Sequence, residues 1–263
     1  LKTGEQFNGE LESADMDAMK AKYGPLGYLN FAVFPKRDKN TASKTVDVVY
    51  SIREGKEITV GDVYVTGNVI TQDRVIRREI AVQPTDLADP VKLDTTKKRL
   101  DNLNYFETVQ VSPRSTDDPN VNDIEVAVEE TMTGRWGFGG GLSSDDGVFG
   151  FFEVQETNFD IARLFDWPPK GAGQRVSFKA YLGTEDNEFI FSFVEPWLQG
   201  KRLRLQTDAY KKSYDQDEYD EEHLGGAVQL TRMVSFEVPN ADRVQWWQTK
   251  WRQSFGYRLE QVR

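Results

Sequence analysis

Beyond residue 132 the chain alternates apolar and polar side chains with a period of two, over stretches of about ten residues. This pattern limits the possible folds more than any other feature. Across 175–182, Val176, Phe178, Ala180 and Leu182 fall on one face of an extended strand, and Arg175, Ser177, Lys179 and Tyr181 on the other. Across 202–210, Leu203, Leu205, Thr207 and Ala209 oppose Arg202, Arg204, Gln206, Asp208 and Tyr210. A soluble sandwich gives the same alternation, with the apolar face turned into a core. Length separates the two. Soluble strands average about 5–6 residues, whereas a barrel strand crossing a bilayer needs about 9–11 and shows lipid every second side chain. No run approaches the roughly 18 apolar residues of a membrane helix.

The pattern predicts strands at 134–143, 148–157, 173–183, 188–195, 202–212, 224–234 and 247–260. Joined as an up-and-down meander, they place the connections 144–147, 184–187 and 213–222 on one rim, and 158–172, 196–201 and 235–246 on the other. The six tryptophans, Trp136, Trp167, Trp197, Trp246, Trp247 and Trp251, gather at that second rim, with Pro168, Pro169, Pro196 and Pro239. An aromatic girdle at one membrane interface accounts for the clustering, although Trp also favours strand ends in soluble proteins. Asp215 to Glu222 are thus expected on the rim opposite the tryptophans, so thiols placed at Asp217 and Asn240 should label oppositely.

Residues 1–131 follow another grammar, mixed α/β, and contain no Trp. A helix is expected over 14–23, with Ser13 as N-cap and Gly24-Pro25 as stop. Strand-like runs follow at 28–34 and 45–52. A second unit then reads β-α-α-β-β. Its strand at 58–66 turns at Gly67-Asn68, a helix capped by Thr71 runs to Glu79, and another opens at Pro90 and ends near Leu103. Strands close the unit at 106–112 and 123–129. Leu100 and Leu103 should be buried with Val63 and Val65. The division expected is 1–56, a partial repeat lacking its leading strand and helix; 57–131, a complete repeat; and 132–263, a sheet continuing beyond Arg263, because seven strands cannot close a barrel of even strand count.

Composition removes several function classes. A net charge of -10 argues against nucleic acid, which needs a basic face. There is no Cys and a single His, His223, so disulfides, thiolate sites, multi-His metal centres and His-based triads are excluded within the chain. Neither enzyme chemistry nor a cofactor is expected. The opening Leu1-Lys2-Thr3-Gly4 lacks the apolar core of a signal peptide.

Other clusters divide between sharp and bland readings. Gly137, Gly139, Gly140 and Gly141 lack the Gly-Lys-Ser/Thr of a phosphate loop and sit in a strand. They read as a weak first strand, since glycine removes side-chain packing, or as a bend at a barrel seam. Asp215, Asp217, Glu218, Asp220, Glu221 and Glu222 do not fit a calcium loop and read as a solvated outer loop. Arg77, Arg78 and Glu79 suit either a partner-binding face or a solvated helix with local ion pairs. Tyr105 and Phe106 read as core.

Taken in order, Gly67-Asn68, Val75-Ile76-Arg77-Arg78-Glu79, Lys98-Arg99-Leu100 and Asn104-Tyr105-Phe106-Glu107-Thr108-Val109 resemble the last polypeptide-transport-associated (POTRA) repeat of the BamA family. Glu129-Glu130-Thr131-Met132-Thr133-Gly134 and Gly137-Phe138-Gly139-Gly140-Gly141-Leu142-Ser143-Ser144 resemble the junction into its barrel. Asn158 and Glu195-Pro196-Trp197 resemble later turns, while 158–172 departs from the short Gly-rich turn of the family. A late-loop Arg-Gly-Phe motif of the family lies beyond this chain. The resemblance implies a Gram-negative outer-membrane protein with periplasmic POTRA repeats, one that folds and inserts other β-barrels. Its partners would be unfolded outer-membrane clients, lipids and assembly lipoproteins. Gly134, Trp136, Gly137, Phe138, Gly139, Gly140, Gly141 and Leu142 would then form a lateral gate that templates client strands. A secretion pore of the same superfamily and a soluble carbohydrate-binding β protein are the rival readings.

Overall fold

The computed structural model describes residues 1–143, 147–216, 219–234 and 251–263. The chain divides into two compact units, Leu1–Thr131 and Met132–Arg263.

In the first unit, helix α1 (Gly9–Tyr23) packs beside a two-stranded antiparallel hairpin, β1 (Ala32–Asn40) and β2 (Thr45–Arg53). The helix starts earlier than the sequence suggested. Its N-cap is Asn8, whose side-chain oxygen accepts the Glu10 N–H at 2.8 Å. Ser13, expected as the cap, lies inside the helix with its hydroxyl bonded to the Gly9 carbonyl. The strand expected over 28–34 is also displaced. Gly27, at φ +82°, turns the chain, and Tyr28 and Phe31 close a ring cluster on Tyr23. The strand then runs through polar residues to Asn40. Pro35 is tolerated because β1 has β2 as its one sheet neighbour. Buried Glu12 is held by the Arg37 guanidinium, with Nε at 2.9 Å.

Residues 59–130 form β3 (Thr59–Thr66), α2 (Asp73–Arg77), α3 (Pro90–Asp101), β4 (Phe106–Ser115) and β5 (Val121–Glu130). The sheet order is β3-β5-β4, with β3 parallel and β4 antiparallel to β5. Ile76 of α2 and Leu100 of α3 are fully buried with Val60, Ile124 and Val126 of the sheet, and Tyr105 and Phe106 join the same core. Leu103, Val63 and Val65 are only partly buried around it. Asp89 caps α3 by accepting the Val91 N–H, and Pro90 occupies the first turn, where its missing donor costs nothing.

Helix α2 is shorter than the predicted 71–79, and Thr71 does not cap it. The N-cap is Gln72, with no side-chain cap, because Thr71 serves another contact. The Glu130 carboxylate, at the end of β5, accepts the N–H groups of Val69, Ile70 and Thr71 at 3.0, 2.8 and 2.6 Å. Burial pushes this carboxyl up, but the Thr71 hydroxyl and the three amides pull it further down, to a net position below the usual range. Glu130→Ala is expected to cost about 1–3 kcal/mol, read as faster hydrogen exchange at Val69 to Thr71. A lowered carboxyl stabilises fully above the unfolded value of about 4.3 and fades as pH falls through the folded one. Acidification from pH 5 should therefore loosen this turn, and unchanged exchange there would sink the clamp.

The second unit is a single seven-stranded antiparallel meander: β6 (Gly134–Ser143), β7 (Gly147–Phe159), β8 (Gln174–Gly183), β9 (Asp186–Glu195), β10 (Leu203–Gln216), β11 (Tyr219–Val234) and β12 (Trp251–Val262). Strands β6 and β12 are the two edges, so the sheet is open. The expected outer loop 213–222 is mostly strand. Ser213 faces Glu222 and Asp215 faces Asp220 across the ladder. Acidic residues are offset by cations here: Glu222 lies 2.5 Å from Lys211, and Glu188 pairs with Lys212. His223 bridges Glu221 and Glu260. Asp217, Glu218, Asn240, Trp246 and Trp247 lie outside the described residues.

Cross-strand partners share a face, and following the registers across the sheet sorts every strand into two surfaces. One carries Trp136, Phe138, Leu142, Val148, Phe152, Val154, Val176, Phe178, Phe189, Phe191, Phe193, Leu205, Val228, Leu230, Phe255, Tyr257 and Leu259. The other carries Arg135, Glu153, Gln155, Ser177, Lys179, Ser192, Gln206, Asp208, Gln229, Thr231, Arg258 and Glu260, linked by contacts such as Glu153–Lys179 and Ser192–Asp208. The apolar surface stays open, with Phe138 73% and Phe255 77% exposed. In a sandwich that face would be the core. An apolar outside with a polar inside is the arrangement of a wall standing in lipid.

Candidate functional site

Half of the ten residues of β6 are glycines, and the sheet shows what they do. Gly137, Gly139 and Gly141 lie on the polar, inward surface, opposite Glu153, Phe151 and Phe149. The aromatic rings of β7 lean onto the bare backbone. A Cβ at Gly139 would stand 2.7 Å from the Phe151 ring, and one at Gly141 would stand 2.9 Å from the Phe149 ring. Phe149 in turn stacks on Tyr181 of β8, with centroids 5.3 Å apart. Position 137 is different, with nothing within 4 Å of where its Cβ would point. The outward surface of the same strand keeps Trp136 and Phe138, stacked at 5.8 Å, and Leu142. The strand is therefore furnished for lipid on one side and held on the other by rings that belong to its neighbour. Within the described sheet its second edge is unpaired.

The sequence pointed to the glycines but missed Phe149 and Phe151. The available signal was their spacing of two, facing glycines that are also two apart.

The rim where β6 begins is built from polar brackets. Asn158 Oδ1 accepts the Gly173 N–H at 2.9 Å. Gln174 accepts the Ile161 N–H at 2.7 Å and donates to Glu195 Oε2 at 2.9 Å. Glu195 Oε1 accepts the Trp197 N–H. The Glu195 turn is thus tied through Gln174, which the sequence did not single out, to the same connection that Asn158 closes on Gly173. Trp136, Trp167 and Trp197 all lie toward this rim, because β6 starts there and the β7–β8 and β9–β10 connections return there. The Arg202 guanidinium sits 5.2 Å from the Trp197 ring centre. Trp251 opens β12.

Arg77, Arg78 and Glu79 do not share one surface. Arg77 is half exposed, pairs with Asp73 at 2.5 Å and donates to the Val63 carbonyl. The side chains of Arg78 and Glu79 are largely buried. A partner reaching this turn would meet Arg77 first.

Residues 1–55 and 58–131 match the POTRA family, described as a surface antigen variable number repeat, and 170–263 match the Omp85 superfamily domain. The outer membrane protein assembly factor BamA of Neisseria meningitidis serogroup B is 27% identical over 82% of this chain and 26% of its own length. The BamA of Nitratidesulfovibrio vulgaris is 27% identical over 89% of the chain and 28% of its length. The chain thus spans about a quarter of the curated relatives it matches. Among solved structures, BamA from Haemophilus ducreyi lacking POTRA domains 1-3 superposes with a TM-score of 0.69 at 21% identity, over 100% of this chain and 47% of that one. CdiB from Acinetobacter baumannii reaches 0.50 at 10% identity, over 98% of this chain and 47% of that one, a likeness of fold. The repeats therefore stand on the periplasmic side of a bacterial outer membrane, and the open sheet is a portion of a barrel wall. The chain belongs to the BamA-like, POTRA-bearing outer-membrane β-barrel proteins of the Omp85 superfamily.

Proposed function

We propose that the protein works in outer-membrane assembly, folding and inserting other β-barrels without covalent chemistry, and that β6 is the strand on which client strands are templated. The observation that carries this reading is the make-up of β6: five glycines, an edge unpaired within the described sheet, and inward cover supplied by Phe149 and Phe151 of β7. Such a strand presents backbone donors and acceptors with little side-chain packing of its own, which suits β-augmentation. Unfolded outer-membrane proteins would be the clients, the POTRA repeats would receive them, and assembly lipoproteins could meet Arg77. The secretion-pore reading rests on the CdiB likeness, which is lower in TM-score and sequence identity than the BamA likeness.

Position 137 gives the test. Its open surroundings accept a side chain, and the chain has no Cys of its own. In the full-length protein, Gly137→Cys is expected to form a disulfide with a thiol in the terminal strand of a client when a thiol oxidant is supplied during assembly. Removing the rings with Phe149→Ala and Phe151→Ala should weaken the hold on β6 by about 1–3 kcal/mol in sum. Hydrogen exchange in β6 should then quicken before that of β8. Client assembly that proceeds with no cross-link at any position of β6 would remove the templating role.

A further inference from the structure

The connection between β7 and β8 has a tight base and an uncovered apolar tip. At the base, Asn158, Phe159, Asp160, Ala172 and Gln174 are buried. The Asp160 N–H meets the Pro169 carbonyl at 2.9 Å, the Gly171 N–H meets the Asn158 carbonyl at 2.7 Å, and Asp160 Oδ1 caps a short 3-10 turn, Ile161–Arg163, through the Ala162 N–H. Beyond this base the chain presents Ile161, Leu164, Phe165 and Trp167. Phe165 is 97% and Trp167 93% exposed. Holding large apolar side chains in water on an ordered base is unfavourable, so a cover is called for.

The direction of the loop identifies that cover. Lys170 reaches back 2.7 Å to Glu156. Glu156 pairs with Gly134 on β6 and Val176 on β8, which puts its side chain on the surface shared by Trp136, Phe138 and Val154. The loop is thus tethered to the outward side of the wall, at the rim where the apolar band ends. Lys170 is three residues from Trp167, so the tether lies close to the apolar tip. Polar Arg163 and Asp166 stand among the apolar residues, a composition suited to the headgroup zone and not to the hydrocarbon.

We propose that Ile161, Leu164, Phe165 and Trp167 form an interfacial foot that seats in the phospholipid headgroup layer at the periplasmic rim of the barrel wall. This rests on the barrel reading of the second unit, and the test separates the two. Single cysteines at Phe165, at Phe152 on the outward surface and at Val69, 91% exposed in the first unit, would carry a nitroxide. The full-length protein would be reconstituted in phosphatidylethanolamine–phosphatidylglycerol vesicles. Collision rates with oxygen and with a water-soluble nickel chelate are then compared. The expected oxygen-to-nickel ratio at Phe165 is several-fold above that at Val69 and below that at Phe152. A ratio at Phe165 equal to that at Val69, with Phe152 in lipid, overturns the foot alone. Shielding of Phe165 from both reagents would mean a protein cover and overturns it as well. A water-like ratio at Phe152 removes the barrel reading and the foot with it.

Discussion

Replacing Gly67 with alanine is expected to destabilise the 57–131 repeat by about 3 kcal/mol or more. Two independent costs meet at this position. The backbone adopts φ +89°, a conformation that residues with a Cβ rarely occupy. An added Cβ would also stand 1.9 Å from the Val128 carbonyl oxygen of β5. That oxygen is backbone and cannot swing aside as a side chain would, so either β3 or β5 must shift. The shift falls where the parallel pairing ends, at Thr66 and Ala127, and next to the turn held by Glu130. Amide exchange across β5 in the intact chain gives the readout, and protection equal to that of the parent would refute the argument.

The second large effect separates the two surfaces of the barrel wall. Phe191 lies in β9, flanked on the apolar surface by Phe178 and Ala209. Phe191→Arg should lower the stability of the lipid-inserted protein by about 2–4 kcal/mol, the usual cost of a cation on a lipid-facing strand near the midplane. Gln229→Arg, on the polar surface, should stay within about 0.5 kcal/mol. The comparison is best made by urea titration of full-length protein folded into vesicles, with the shift in electrophoretic mobility marking the folded form. Equal effects at the two positions would mean that the outward surface does not face lipid. A core position in a soluble sandwich would also punish Phe191→Arg, but there the variant would fail equally without a bilayer.

The period of two was enough to read the wall from the sequence. Sidedness follows from the pleat, and strand direction follows from connections most of which are too short for a parallel crossover. The ends of elements were less legible. Residues 213–222 look like a loop because they are charged, yet Lys211 pairs with Glu222, His223 lies within hydrogen-bond reach of Glu221, and the ladder continues. Ser13 and Thr71 have the chemistry of helix caps, but Asn8 and Glu130 take the roles that decide those turns, and Glu130 is distant in sequence. In the candidate site the glycines were visible and the rings over them were not, because which aromatic faces which glycine depends on the register between β6 and β7.

The bracket formed by Asn158, Asp160 and Gln174 has a consequence for how this rim can change over time. It closes the β7–β8 connection below its tip, so β7 and β8 are joined by a short polar knot whatever lies beyond it. Closing a longer excursion costs only about 0.6 kcal/mol for each doubling of length. Residues 161–168 make up the exposed excursion, and their number and identity are nearly invisible to the wall. This is a place where segments can be lengthened, trimmed or exchanged while the strands beneath keep their register.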